Sequence, residues 1–174
     1  MRTPVFTGNC PALVTPFDAN GSINYDAFGR LIDAQIEAGV DAVCVCGTTG
    51  EAPTLKDDEH LEALRFAVET CAGRVPLIAG TGSNYTDHAI EFTKYACKIG
   101  ADGVLVVTPY YSRPSQAGLI AHYRAVADAA EKPIIIYSVP GRTGVNLSLE
   151  QISRLLECKH IIGIKEASDS AERL

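Results

Sequence analysis

Six apolar runs, at residues 9–14, 41–46, 75–79, 102–107, 133–137 and 161–167, alternate with stretches whose apolar residues recur at helical spacing, and nothing else in the chain restricts its fold as strongly. Phe28, Leu31, Ile32 and Ile36 make the first helical stretch, and Leu61, Leu64, Val68 and Cys71 the second. Ile90, Thr93, Ala96 and Cys97 follow, then Leu119, Ile120, Tyr123, Val126 and Ala127, then Ile152, Leu155 and Leu156. The ends carry helix punctuation. Asn24 suits an N-cap, Thr54 with Asp57 can open the second helix, Ser148 with Gln151 has capping-box spacing, and Gly39, Gly73 and Gly100 stop the first three. Strand and helix in units of roughly thirty residues define a parallel α/β fold.

The placement of unusual residues chooses between the two parallel architectures. Thr48 and Thr49, Tyr110 and Tyr111, Tyr137, and Lys165 all fall at or just beyond the carboxyl ends of different strands. A (β/α)8 TIM barrel gathers those ends at one mouth, whereas an open doubly wound sheet places ligands only around a switch point. Neither a G-x-G-x-x-G nor a G-x-x-x-x-G-K-[ST] fingerprint occurs. The expectation is therefore a barrel, with six strands and five helices in the sequence. Eight units need about 250 residues, so residues 1–174 read as one incomplete barrel domain, truncated or part of a longer chain, with open edges.

Composition narrows the partners. The chain is 47% hydrophobic and 21% charged with a formal net charge of -6, and its Lys and Arg are scattered, which leaves no basic footprint for nucleic acid. The first residues lack an apolar signal region and no stretch approaches the roughly 18 apolar residues of a membrane span, so the expected location is cytoplasmic. Six cysteines form no C-x-x-C pair and read as reduced core thiols, with no metal site expected. Cys44 and Cys46 flank Val45 in one strand, which predicts that both thiols share a face.

Lys165 stands near the end of Ile161-Ile162-Gly163-Ile164-Lys165-Glu166-Ala167. Burial disfavours a charged ammonium, so a lysine placed there can offer the neutral amine that attacks a carbonyl and forms a Schiff base; otherwise its head snorkels to solvent or meets Glu166. Tyr137, on the preceding strand, faces the same cavity if the sheet is parallel, either as a proton-passing phenol or as a core tyrosine. Thr48 and Thr49 lie between Gly47 and Gly50, in a loop able to cradle a small carboxylate or merely to turn the chain. Arg142 offers a bidentate partner for a carboxylate, or a solvated loop residue.

Gly47-Thr48-Thr49-Gly50-Glu51, Thr108-Pro109-Tyr110-Tyr111, Tyr137-Ser138-Val139-Pro140-Gly141-Arg142-Thr143-Gly144 and Gly163-Ile164-Lys165-Glu166-Ala167-Ser168 together resemble the dihydrodipicolinate synthase family, within the pyruvate-dependent class I aldolase and lyase superfamily. The resemblance implies a Schiff base between Lys165 and pyruvate, without metal or organic cofactor. It implies a proton relay of Tyr137, Thr48 and Tyr111, the last reaching in from a neighbouring subunit of a homodimer or homotetramer. Thr48 and Thr49 would bind the pyruvate carboxylate, and Arg142 that of L-aspartate 4-semialdehyde, giving 4-hydroxy-tetrahydrodipicolinate in lysine and diaminopimelate biosynthesis. Ser138 departs from the asparagine usual after this tyrosine. A 2-keto-3-deoxy sugar acid aldolase or N-acetylneuraminate lyase-like enzyme is the enzymatic alternative, and an inactive fragment or interaction module the non-enzymatic one.

Some members of the family are inhibited by lysine, and the resemblance places that effector at residues matching His60, Asn84 and Tyr110. His88 stands where a carboxylate is usual and Asp57 where a histidine is usual. Solvated helix-face histidines are the plainer reading of His60 and His88.

Overall fold

The computed structural model describes residues 3–168, in which four apolar runs form strands buried almost throughout: β1 (Val43–Val45), β2 (Leu77–Gly80), β3 (Gly103–Val107) and β4 (Ile134–Ser138). A fifth, β5 (Ile161–Glu166), is half-buried. All neighbours pair in parallel and the spatial order is β1-β2-β3-β4-β5, without reversal. An unreversed order leaves no switch point and makes the wall of a (β/α)8 barrel.

The sixth expected strand, at residues 9–14, shrinks to one parallel bridge between Ala12 and Cys44. Leu13 donates its N–H to Cys44 O (2.8 Å) and Cys44 donates to Pro11 O (2.9 Å). Pro11 has no N–H of its own, so the ladder does not lengthen there.

The helices are α1 (Tyr25–Glu37), α2 (Asp57–Cys71), α3 (Thr86–Ile99), α4 (Gln116–Ala129), a single turn α5 (Pro140–Thr143) and α6 (Leu149–Leu155). Asn24 caps α1 through Ala27 N–H at 2.8 Å, and Ser148 with Gln151 forms the reciprocal box at α6. Thr54 does not open α2. Its hydroxyl donates to Glu51 O (2.8 Å) and closes a 3-10 turn over Ala52–Thr54, which contains Pro53; Leu55 then runs extended. Lys56 precedes α2 instead, its N–H held by the Glu59 carboxylate at 3.1 Å. The turn α5 was outside the sequence expectation.

The helices cover one face of the sheet, with Phe28, Ile32, Leu64, Leu119 and Tyr123 in the main core. The other face carries a small cluster of Cys44, Ile78, Leu105, Tyr137 and Val139, packed by Val5 and Phe6. Here one expectation fails. β1 stops at Val45, Cys46 turns to φ 52°, and its thiol joins the helix-side core while that of Cys44 faces the concave side. No helix among the described residues is long and apolar enough to cross a membrane.

Candidate active site

Parallel register pairs Tyr137 with Lys165, which puts both side chains on the same face at the carboxyl end of the sheet. Lys165 Nζ lies 4.4 Å from the centroid of the Tyr137 ring, within cation–π reach. Tyr137 is 7% exposed and bounded by the concave cluster. Lys165 is exposed, as in the snorkelling alternative, because among the described residues β5 has β4 as its one strand partner. Glu166 occupies the opposite face of β5, and its carboxylate accepts the Ser168 N–H at 3.0 Å.

Below Lys165 opens a cleft of about 510 Å³ with Phe6, Cys10, Cys44, Leu105 and Ile164 among its walls. Burial pushes the Cys10 thiol up to about 11 despite the opposing Lys165 charge, and the Cys44 thiol up to about 12. Both stay protonated near neutrality, where a thiol is a poor nucleophile and metal ligand.

Thr48 reaches the site through a tight loop. Gly50 donates to Gly47 O and Glu51 to Thr48 O, both at 3.1 Å, and the buried Thr15 hydroxyl ties Gly50 O at 2.7 Å. Thr48 and Tyr137 line one small cavity of about 30 Å³ with Gly80, Gly82, Leu105 and Val107. Gly80 and Gly82 are the residues that sequence reasoning passed over. A Cβ on Gly80 would stand 2.0 Å from Cys46 O, and one on Gly82 2.3 Å from Val107 N, so only glycine lets β2 pass the Thr48 loop and β3 so closely. A Gly-Thr-Gly directly after a strand was the available signal.

The other expected residues lie farther out. Thr49 is exposed and lines neither cavity. Tyr111 is 90% exposed with φ 70° and likewise lines neither. Arg142 is exposed on α5, whose buried Thr143 hydroxyl accepts from Thr108 Oγ1 (3.2 Å) and lies 3.2–3.3 Å from the Val139 and Val145 carbonyls.

Tyr110 and His60 line a separate cavity of about 80 Å³ with Asp57, His88 and Phe92, whereas Asn84 is exposed and outside it. His60 is not a solvated helix-face residue. It is 3% exposed on the inner face of α2, bonded through Nε2 to Gly80 O at 2.8 Å and packed 4.6 Å from the Phe92 ring, and burial lowers its pKa. His88 is half-buried, with Nε2 3.7 Å from the Asp57 carboxylate.

Fold and site define a class: a (β/α)8-barrel chain whose strand-end lysine sits against a tyrosine at the carboxyl edge of the sheet. The chain belongs to the dihydrodipicolinate synthetase family, whose sequence profile it matches over residues 5–174. It is 48% identical over 168 residues to the 4-hydroxy-tetrahydrodipicolinate synthase of Acetivibrio thermocellus, an alignment covering 97% of this chain and 57% of that protein. Its fold matches the crystal structure of dihydrodipicolinate synthase from Aquifex aeolicus with TM-score 0.94 at 46% identity, over 97% of this chain and 57% of that one. The chloride-inhibited dihydrodipicolinate synthase from Acinetobacter baumannii, solved with pyruvate, matches with TM-score 0.93 at 45% identity, over 95% and 57%. The chain thus spans a little over half the length of the relatives it matches.

Proposed function

We propose that Lys165 forms a Schiff base with pyruvate and that the resulting enamine captures L-aspartate 4-semialdehyde, giving 4-hydroxy-tetrahydrodipicolinate in the cytoplasm. The observation that carries this reading is Lys165 Nζ held 4.4 Å over the ring of Tyr137, its register partner. The amine adds to the keto carbon and water leaves. The iminium then withdraws electrons as a methyl proton departs and the enamine carbon attacks the aldehyde; the amino group of the aldehyde substrate then adds to the imine carbon and expels the lysine amine, which closes the ring as a cyclic imine. The imine itself is the electron sink, so the reaction needs no metal or organic cofactor.

Tyr137 is the proton-relay residue nearest the lysine, and Thr48 shares its cavity. Tyr111, left-handed and exposed, serves the same relay from a neighbouring copy in a homodimer or homotetramer, which accounts for its distance from its own cavities. Thr48 and Thr49 hold the pyruvate carboxylate, and Arg142 that of the aldehyde. The names of the relatives support this assignment over a sugar-acid aldolase, and the pyruvate complex of one solved structure supports pyruvate as the keto substrate. In the same reading Tyr110 and the buried His60 line an effector cavity, with Asn84 exposed outside it.

Borohydride trapping with pyruvate, read by intact mass and peptide mapping beside Lys165→Ala, tests the assignment. A single reduced adduct on the Lys165 peptide, absent from the variant, is expected. Soluble, cooperatively folding chain without an adduct would sink the Schiff-base role and leave the fragment or interaction-module reading.

A further inference from the structure

Two adjoining loops at the carboxyl edge of the sheet carry arginine without any acid. Residues 108–115 and 139–148 contain no Asp or Glu, in a chain of formal net charge -6, and each holds one arginine, Arg113 and Arg142. Both are exposed, and among the described residues neither is in an ion pair. The loops are fastened together. Thr108 donates its backbone N–H to Tyr137 O (3.0 Å) and its hydroxyl to the buried Thr143 hydroxyl (3.2 Å).

A second contact sets Arg113 against the loop that carries Arg142. The Arg113 head group lies on Gly144: a Cβ there would stand 2.9 Å from Nε and 3.4 Å from Nη2. Gly144 has φ 70° and Arg113 itself φ 47°, a left-handed backbone that a long side chain rarely adopts. Strain of this kind persists where surrounding structure imposes it, and it concentrates at ligand clamps. Its effect here is to rest a guanidinium two residues along the chain from Arg142. Two forks with no counter-ion among the described residues attract an anion and can share a carboxylate through parallel N–H bonds.

We propose that Arg113 is a specificity-determining residue, a second guanidinium that works with Arg142 to bind the carboxylate of the aldehyde-bearing substrate; the identity of that substrate rests on the Schiff-base reading above. The pair selects aldehydes that carry a carboxylate over neutral ones.

Phenylglyoxal modification of the whole chain, followed by peptide mapping, tests the proposal without requiring turnover. The probe is 4-oxobutanoate, an aldehyde acid, with butanal as the neutral control and the exposed Arg30 as internal reference. The acid is expected to slow modification of Arg113 and Arg142 in parallel, while butanal protects neither and Arg30 reacts at one rate throughout. Arg113→Ala is expected to raise the concentration that half-protects Arg142 about tenfold, as loss of a charge-assisted fork implies. Arg113→Lys recovers part of that loss, and Gly144→Ala, which displaces the head group, repeats it.

Protection of Arg142 alone would overturn the proposal, and so would an unchanged half-protecting concentration in Arg113→Ala. Pyruvate trapping at Lys165 separates the two readings. A pyruvate adduct without joint protection sinks the arginine pair alone, whereas joint protection without an adduct sinks the synthase reading and keeps the carboxylate site.

Discussion

Tyr137 presents the face of its ring to Lys165, and the ammonium lies 4.4 Å from the ring centroid on the adjacent strand. The face of the ring lies against the lysine, and the proposed relay assigns proton exchange to the hydroxyl, so the two duties are separable.

Tyr137→Phe keeps the ring face and removes the proposed proton carrier. It should still trap pyruvate at Lys165 on prolonged incubation, with adduct formation slowed by about 10²–10⁴, the usual worth of a positioned acid or base. A time course of borohydride quenching reads the rate. An adduct forming as fast in Tyr137→Phe as in the parent chain would remove Tyr137 from the relay.

The closeness of β2 to the Thr48 loop gives a second prediction. In Gly80→Ala the new methyl would meet Cys46 O at 2.0 Å and Cys46 C at 2.5 Å, both backbone atoms that cannot swing aside. Destabilisation of at least about 1–3 kcal/mol is expected, measured as a drop in the urea midpoint. Gly141→Ala is the control, since its Cβ would meet nothing within 4 Å.

Much of this geometry was legible because one pattern dominates the sequence. Runs of Val, Ile and Leu between glycine-stopped helices gave strand order and direction, and those placed Tyr137 beside Lys165. Local chemistry that overrides periodicity was harder to read. Pro11 shortens the first strand to a bridge, Pro53 makes a separate turn before α2, and the left-handed Cys46 breaks the alternation that Cys44 begins. The exposure of Lys165 was open for a different reason: an apolar run shows what a strand can bury, while its burial depends on which neighbours pair with it. Gly80, Gly82, Thr143 and Arg113 matter through contacts distant in sequence, which periodicity does not encode.

The Thr108–Thr143 pair should couple stability to substrate recognition. Thr143→Val keeps the shape but leaves the Thr108 hydroxyl buried without its acceptor, at a cost of about 1–3 kcal/mol. Thr143→Ser should restore most of it. If the hydroxyl pair also positions α5, Thr143→Val weakens 4-oxobutanoate protection of Arg142, and Thr143→Ser does not. Equal urea midpoints for parent and Thr143→Val would show that the bond is structurally idle.

Acid should act on the outer layer through His122. This α4 residue is 5% exposed, its Nδ1 is 3.0 Å from Thr86 Oγ1, and its Nε2 has no partner among the described residues. Burial lowers its pKa from 6.5 to about 4. The unfolded chain therefore binds the proton first. The contribution of neutral His122 is complete above about pH 6.5 and is lost as the pH falls toward 4; below that value both states are protonated and the dependence ends. A shift of this size corresponds to about 3 kcal/mol across the window. Carboxylates and the buried His60 also change stability in acid, so the readout is a difference between chains. Urea midpoints of the parent and His122→Asn, taken from pH 7 to pH 4, should converge as the pH falls, because the variant lacks this site. Parallel curves would mean that the folded protein accommodates the imidazolium, through rearrangement around Nε2, at little cost.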